Sequence, residues 1–147
     1  MGYGWVFVQA ALLVVYGVAL AVGAGASWGV WRWLGAPMVA IGAWVGIAAL
    51  GMHGRKLTPL PEPNPALGLQ RTGVYAVIRH PMYTGLLLSA FGLAILLQKP
   101  LAVAAAVALT AFFNLKAREE ERRLMRCYPE YADYQRTTGR FLPRWRQ

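Results

Sequence analysis

Four long apolar blocks divide the chain, and the polar residues are concentrated between these blocks and after the last one. The blocks cover residues 5–26, 36–52, 86–97 and 101–115. The first block contains a single strongly polar residue, Gln9, and the second carries no charge. No block has the polar face that a surface helix of a soluble protein shows. Because roughly 20 apolar residues cross a bilayer, the pattern predicts an all-α membrane protein with about four transmembrane helices.

The pattern also predicts how these helices are joined. The last two blocks are separated only by Gln98-Lys99-Pro100, which indicates a tight hairpin and leaves its full passage across the bilayer open. The first block lacks a preceding basic segment and is followed by further apolar blocks, so the pattern favours a membrane helix over a cleaved signal peptide. Four closely spaced prolines predict an extended loop after the second block; they are Pro59, Pro61, Pro63 and Pro65.

Basic residues are distributed unevenly and predict an orientation. The formal net charge is +9, and the basic residues lie mainly between the second and third blocks and after the fourth. Only Arg32 and Lys99 lie in the other two connections. The positive-inside rule therefore places the middle loop and both termini in the cytoplasm. Because these residues flank membrane segments, anionic membrane lipids, rather than nucleic acid, are the predicted counter-charge.

Two charged clusters lie at the ends of apolar blocks. Arg79-His80-Pro81 stands just before the third block, and Glu119-Glu120-Glu121-Arg122-Arg123 follows the fourth. Proline suits the first turn of a helix, so His80 is expected at a helix N-terminus, where free N–H groups favour an anion. A cation and a histidine at one helix start, with carboxylates at a neighbouring helix end, can bind a zwitterion. Each cluster alone also has an ordinary explanation in surface ion pairs and positive-inside statistics.

Several other kinds of site are not indicated by the sequence. The glycine-rich nucleotide motifs G-x-G-x-x-G and G-x-x-x-x-G-K do not occur in it. Its two histidines, His53 and His80, are far apart and no H-E-x-x-H motif exists, so no metal site is predicted. The single cysteine, Cys127, cannot form a disulfide within the chain.

The C-terminal half of the chain resembles the integral-membrane methyltransferases, which include isoprenylcysteine carboxyl methyltransferases and phospholipid N-methyltransferases. The resemblance is carried, in order, by Gly73-Val74-Tyr75, Arg79-His80-Pro81-Met82-Tyr83-Thr84-Gly85, Glu119-Glu120 with Leu124, Tyr131 with Tyr134, and Arg140-Phe141-Leu142-Pro143. The ordered combination is more specific than any one motif. Pro129 stands where many members have glycine, the tail spacing is compact and the chain is short, which leaves the substrate open.

The resemblance implies S-adenosylmethionine as the methyl donor, with S-adenosylhomocysteine as the product. His80 and Arg79 would contact the donor's carboxylate, and Glu119 or Glu120 its ammonium. The residues implied near the adenine are Val77 and Ile78, with Tyr83 close by. Arg136 and Arg140 would bind a substrate carboxylate or phosphate. The residues implied in catalysis are then Tyr83, Glu120, Arg136 and Arg140.

The implied function is methyl transfer to a lipophilic substrate at the membrane–cytoplasm interface. Carboxyl O-methylation is expected ahead of phospholipid or amine N-methylation and of thiol S-methylation. A membrane scaffold or lipid-binding subunit without enzymatic activity is the alternative. One domain is expected over residues 1–147, with an N-terminal helical hairpin at 1–52, a cytoplasmic loop at 53–80, and a catalytic hairpin with its tail at 81–147. The small-residue pair Gly42 and Gly46 predicts a close helix contact, and a homodimer through it is one expectation.

Overall fold

A computed structural model of the protein describes residues 2–53 and 68–144, and this part of the chain is mainly helical. The five α-helices are α1 (Gly2–Val22), α2 (Gly35–His53), α3 (Pro81–Leu96), α4 (Pro100–Cys127) and α5 (Tyr131–Thr137). Short 3₁₀ segments cover Gly29–Leu34 and Gly73–Ala76. The proline-rich stretch of the predicted loop lies outside the described residues. The all-α class predicted from the apolar blocks is confirmed.

The length of the helices refines the predicted number of spans. Three segments are long and apolar enough to cross a membrane: Tyr3–Val22, Gly29–Met52 and Pro100–Cys127. Helix α3 has 16 residues. At about 1.5 Å per residue it is ~24 Å long, less than the ~30 Å hydrocarbon core. The described part of this integral membrane protein therefore contains three long apolar helices and one shorter one, α3, which forms the predicted tight hairpin with α4.

Helices α2 and α3 pack closely because glycines line their contact. A Cβ atom on Gly85 of α3 would lie 2.6 Å from the carbonyl oxygen of Gly42 and 2.6 Å from the backbone nitrogen of Gly46. Small residues at such positions let two backbones approach, which gives van der Waals contact that side chains would prevent. The close contact predicted for Gly42 and Gly46 is thus made within the chain, and a homodimer through them stays a prediction.

Helix α1 packs against α4 rather than against its sequence neighbour α2. The Tyr16 hydroxyl donates a 2.7 Å hydrogen bond to the carbonyl oxygen of Ala90 in α3, so α1 is anchored across the α3–α4 hairpin. The N-terminal hairpin expected at 1–52 stays a prediction as a unit, but in the described residues its first helix packs mainly on α4. The reason is that helices without polar faces pair by side-chain fit, which their order along the chain does not determine.

The C-terminal tail returns to the start of α3. Backbone N–H groups of Arg79 and His80 donate to the carbonyl oxygens of Gly139 (2.8 Å) and Arg140 (3.1 Å), beside a parallel bridge between Ile78 and Gly139. The Tyr134 hydroxyl donates a 2.5 Å hydrogen bond to the Tyr75 carbonyl oxygen. Burial raises the pKa of Tyr134 to about 12, so this hydroxyl keeps its proton at neutral pH. These bonds bring the tail against the first charged cluster.

Candidate functional site

Glu121 is the centre of a polar cluster formed by α4, the start of α3 and the tail. Its side chain is 2% exposed. Its carboxylate accepts hydrogen bonds from Arg79 Nε (3.0 Å), Arg140 Nη2 (2.7 Å) and Gln135 Nε2 (3.3 Å), and His80 Nε2 lies 3.2 Å away. A buried carboxylate must be paired to be tolerated. Glu121 meets this requirement, and its contacts tie the start of α3, α4 and the tail together.

His80 lies between two carboxylates. Its Nδ1 is 3.4 Å from Glu120 Oε2, and its Nε2 is 3.2 Å from Glu121 Oε1. Burial by itself lowers the pKa of His80, but the hydrogen bonds and charges of Glu120 and Glu121 together raise this pKa above its ordinary value. A neutral imidazole carries one N–H and cannot donate to both carboxylates, whereas an imidazolium can. The site therefore favours a protonated His80.

Glu120 is the more accessible of the two carboxylates. It is 18% exposed, compared with 2% for Glu121. The Tyr83 hydroxyl donates a 2.5 Å hydrogen bond to Glu120 Oε1, and the Tyr83 ring is stacked on His80 with centroids 5.4 Å apart. Glu120 thus combines a fixed orientation with a surface that a ligand can reach.

The two arginines of the cluster have different environments. Arg79 also donates through Nη1 to the carbonyl oxygens of Gln135 (3.1 Å) and Thr138, so it ties the tail to α4. Arg140 donates through Nη1 to Asn114 Oδ1 at 2.7 Å and is 28% exposed. Arg79 is therefore occupied by the protein itself. Arg140 also bonds to Glu121 through Nε (3.1 Å), but its side chain is partly exposed.

A groove lies beside Arg140 between α3 and α4. Its volume is about 450 Å³, and the residues that line it are Phe91, Val107, Thr110, Ala111, Asn114 and Phe141. Most of these side chains are apolar, and Asn114 connects the groove to Arg140. The Phe141 carbonyl oxygen accepts a 2.8 Å hydrogen bond from the Thr84 hydroxyl, which holds the tail at the groove. The groove is therefore mainly apolar, and Asn114 connects it to the Arg140–Glu121 pair.

The structure brings together five of the residues expected at a site, namely Arg79, His80, Tyr83, Glu120 and Arg140. Two of the others, Glu119 and Arg136, have partners outside the cluster, and Val77 and Ile78 lie in the segment that leads into Arg79. Glu119 accepts hydrogen bonds from Arg122 (2.8 Å) and Arg123 (2.9 Å), and Arg136 is exposed and paired with Asp133. Val77 is about half exposed, and Ile78 is buried beside Gly139.

Sequence reasoning missed Glu121, and a signal for it exists. In the pattern E-E-x-x-L that ends at Leu124, the two glutamates are Glu120 and Glu121. Helical spacing gives the same result, because Phe113, Ala117 and Glu121 recur every four residues on the buried face of α4. Asn114, on the same helix, was also missed and offered no motif.

No group of three or more potential metal-ligating side chains occurs in the part of the chain that the structure describes.

Comparison with known proteins shows which family the chain is similar to. Residues 30–131 match the family model for phospholipid methyltransferases. The chain is 34% identical over 113 residues to the nickel-cobalt-cadmium resistance protein NccN of Alcaligenes xylosoxydans xylosoxydans, covering 76% of this chain and 47% of that protein. It is 36% identical over 77 residues to the protein-S-isoprenylcysteine O-methyltransferase of Saccharomyces cerevisiae, covering 51% of this chain and 32% of that protein.

A solved structure is similar over nearly the whole chain. It is the eukaryotic intramembrane Ras methyltransferase ICMT (isoprenylcysteine carboxyl methyltransferase), with a TM-score of 0.69 and 25% identity. The match covers 97% of this chain and 53% of that one, so the chain spans about half the length of the protein it resembles. The match of the family model to more than half of the sequence leads to one conclusion: the chain belongs to the phospholipid methyltransferase family.

Proposed function

We propose that the protein is a membrane methyltransferase that uses S-adenosylmethionine to methylate a lipophilic acceptor at the membrane–cytoplasm interface. The observation that carries this proposal is the adjacency of His80, at the start of α3, and the partly exposed Glu120 of α4, whose Oε2 lies 3.4 Å from His80 Nδ1. A cation and an anion side by side match the amino-acid end of the donor, which has a carboxylate and an ammonium. Membership of the methyltransferase family supports the same assignment.

The residues present fit this donor. Glu120 can accept a further hydrogen bond from an ammonium, because a carboxylate has about four acceptor positions and the described contacts use two directions. Both ring nitrogens of His80 face Glu120 and Glu121, so its imidazolium would act on the donor's carboxylate through its charge, as the helix dipole at the N-terminus of α3 does. When bound, the donor supplies a methyl group activated on a sulfonium. The fully paired Glu121 keeps His80 in position.

The groove supports a lipophilic acceptor with an anionic end. An isoprenyl or acyl chain would lie along Phe91, Val107 and Ala111, and its carboxylate would meet Arg140 with Asn114. A cationic amine would be repelled by the guanidinium. A carboxylate is also already a nucleophile, whereas an amine has to lose a proton first. Carboxyl O-methylation is therefore favoured over N- and S-methylation, and Arg140 rather than Arg136 is the acceptor-binding arginine.

The charge distribution supports a cytoplasmic site. The basic residues lie mainly on the side of the membrane that carries the polar cluster, and the positive-inside rule gives that side, with both termini, to the cytoplasm. Catalysis then depends on alignment: the acceptor's oxygen must lie in line with the methyl carbon and the sulfur. Holding two reactants in such a geometry is worth several kcal/mol, about 7 or more in the best cases.

The test is methyl transfer from radiolabelled S-adenosylmethionine by the purified protein in lipid. Extracted membrane lipids and an S-prenylated cysteine serve as acceptors, and the labelled product is then treated with base. We expect base-labile label, the signature of an ester, and less of it in Arg140→Gln at an acceptor concentration below KM. Base-stable label would redirect the assignment to an amine or thiol. No transfer to any acceptor, together with no donor binding by the folded protein, would favour the scaffold.

A further inference from the structure

A buried lysine connects α1 to the candidate site. Lys116 of α4 is 2% exposed, and its ammonium donates a 2.7 Å hydrogen bond to Gln9 Oε1 of α1. Gln9 is the one strongly polar residue in the first apolar block. The ammonium also lies over the ring of Tyr83, 5.5 Å from its centroid. Lys116 and Gln9, polar residues of two separate helices, thus meet beside Tyr83, the side chain that contacts Glu120.

Burying Lys116 between membrane helices costs free energy, and this cost indicates that the residue has a function. Ionisable side chains within membrane helices are expensive and commonly functional, because the membrane offers no water to solvate them. Lys116 precedes Glu120 by four residues, so both side chains project from the same side of α4. A cation over an aromatic ring attracts it, most strongly where water is excluded. The ammonium therefore restrains the ring whose hydroxyl donates to Glu120 Oε1.

We propose that Lys116 is a positioning residue: anchored by Gln9, it fixes the Tyr83 ring and thereby the orientation of Glu120 and the stacking on His80. Helix α1 contributes to the site through this contact, although it supplies no residue to the polar cluster itself. The functional consequence rests on the proposed function, because a misplaced Glu120 matters most for the donor's ammonium. The placement of Tyr83 does not depend on that function and is tested separately.

The direct test is the nuclear magnetic resonance signal of Tyr83 in protein labelled with ¹³C at the tyrosine ζ carbon. Tyr83→Phe assigns the signal. Lys116→Met is expected to shift and broaden the Tyr83 signal, and Gln9→Leu is expected to shift it in the same direction as Lys116→Met. Lys116→Arg is expected to restore the signal, because a cation is retained. Lys99→Met is the matched control, since Lys99 bonds to the Gly23 carbonyl oxygen at the other end of α4.

The second test is the affinity for S-adenosylhomocysteine. Lys116→Met should weaken it about tenfold, the effect of losing one partly desolvated cation–π contact, and Lys116→Arg should recover most of it. If the unchanged protein binds no S-adenosylhomocysteine, the proposed function fails while the Tyr83 signal still tests Lys116. An unmoved Tyr83 signal in folded Lys116→Met overturns the inference. If Lys116→Met does not fold, an unmoved Tyr83 signal in Gln9→Leu overturns the inference instead.

Discussion

Arg140 of the tail and Glu121 of α4 form the closest ion pair of the buried cluster, with Nη2 and Oε2 2.7 Å apart. The pair lies 19 residues apart in sequence and joins two segments that also meet at the start of α3. The Glu121 carboxylate also binds Arg79, at the start of the helical hairpin. The C-terminal tail and the hairpin therefore share this one anion. The C-terminal tail is therefore part of the candidate site.

Removing the charge of Glu121 should destabilise the protein. Glu121→Gln leaves Arg79, Arg140 and the His80 imidazolium without their common partner, and breaking a buried pair in this way costs about 3 kcal/mol. Denaturant unfolding in detergent micelles, followed by tryptophan fluorescence, measures the change. Glu119→Gln is the matched control on the same helix, because its described ion pairs are with an exposed arginine, Arg122, and a partly exposed one, Arg123. Equal losses in both variants would contradict the central place given to Glu121.

The stability contributed by His80 should depend on pH. The pKa of His80 in the folded protein is raised above the ordinary value of 6.5 by Glu120 and Glu121, so the protonated form stabilises the fold. This contribution is fully present below pH 6.5 and is lost as the pH rises through the folded-state pKa.

The measurement compares unfolding midpoints of the unchanged protein and of His80→Gln over this range. Their difference should be largest at acidic pH and shrink on the alkaline side. A difference that grows with rising pH would show that His80 is held in its neutral form.

The α2–α3 contact should not tolerate a larger residue. Gly85→Ala places a methyl group 2.6 Å from the Gly42 carbonyl oxygen, so the helices must separate, at a cost of about 2 kcal/mol. Gly51→Ala is the control, because a Cβ atom there meets no other atom within 4 Å. Unfolding in micelles distinguishes the two variants. Equal stability of Gly85→Ala and Gly51→Ala would contradict the close packing of α2 against α3.

Arg140 and Arg136 should differ in their effect on the methyl acceptor. Arg140→Gln removes a charge at the end of the groove and should raise the KM for an anionic acceptor about ten- to a hundredfold, the range expected for one charge-assisted hydrogen bond. Arg136→Gln should leave KM unchanged, because Arg136 is exposed and paired with Asp133. Affinity for S-adenosylhomocysteine, measured in parallel, shows whether Arg140→Gln has disturbed the donor site. The reverse order of effects would return Arg136 to the acceptor site.

The local features of the fold were predictable from the sequence. His80-Pro81 predicted a helix start, and α3 begins at Pro81. The all-α class and the tight hairpin followed from the apolar blocks, because long uncharged runs have few other stable arrangements. The pairing of α1 with α4 and of α2 with α3 did not follow, since side-chain fit between apolar helices leaves little trace in composition.

The candidate site was partly predictable. Motif order identified His80, Tyr83 and Glu120, but three consecutive glutamates hid which of them face inward. Two signals separate Glu121 from Glu119: the E-E-x-x-L spacing that ends at Leu124, and the helical phase set by buried Phe113. Contacts between distant helices, such as Gln9 with Lys116, have no motif at all and depend on the packed structure.

The most direct test of the methyltransferase assignment is calorimetric titration of the folded protein, in detergent or lipid, with S-adenosylhomocysteine. One molecule is expected to bind saturably per chain. Glu120→Gln is expected to weaken this binding about ten- to a hundredfold through loss of one charge-assisted hydrogen bond, while Arg136→Gln has no effect. Absence of binding by the folded, unchanged protein would contradict the methyltransferase assignment.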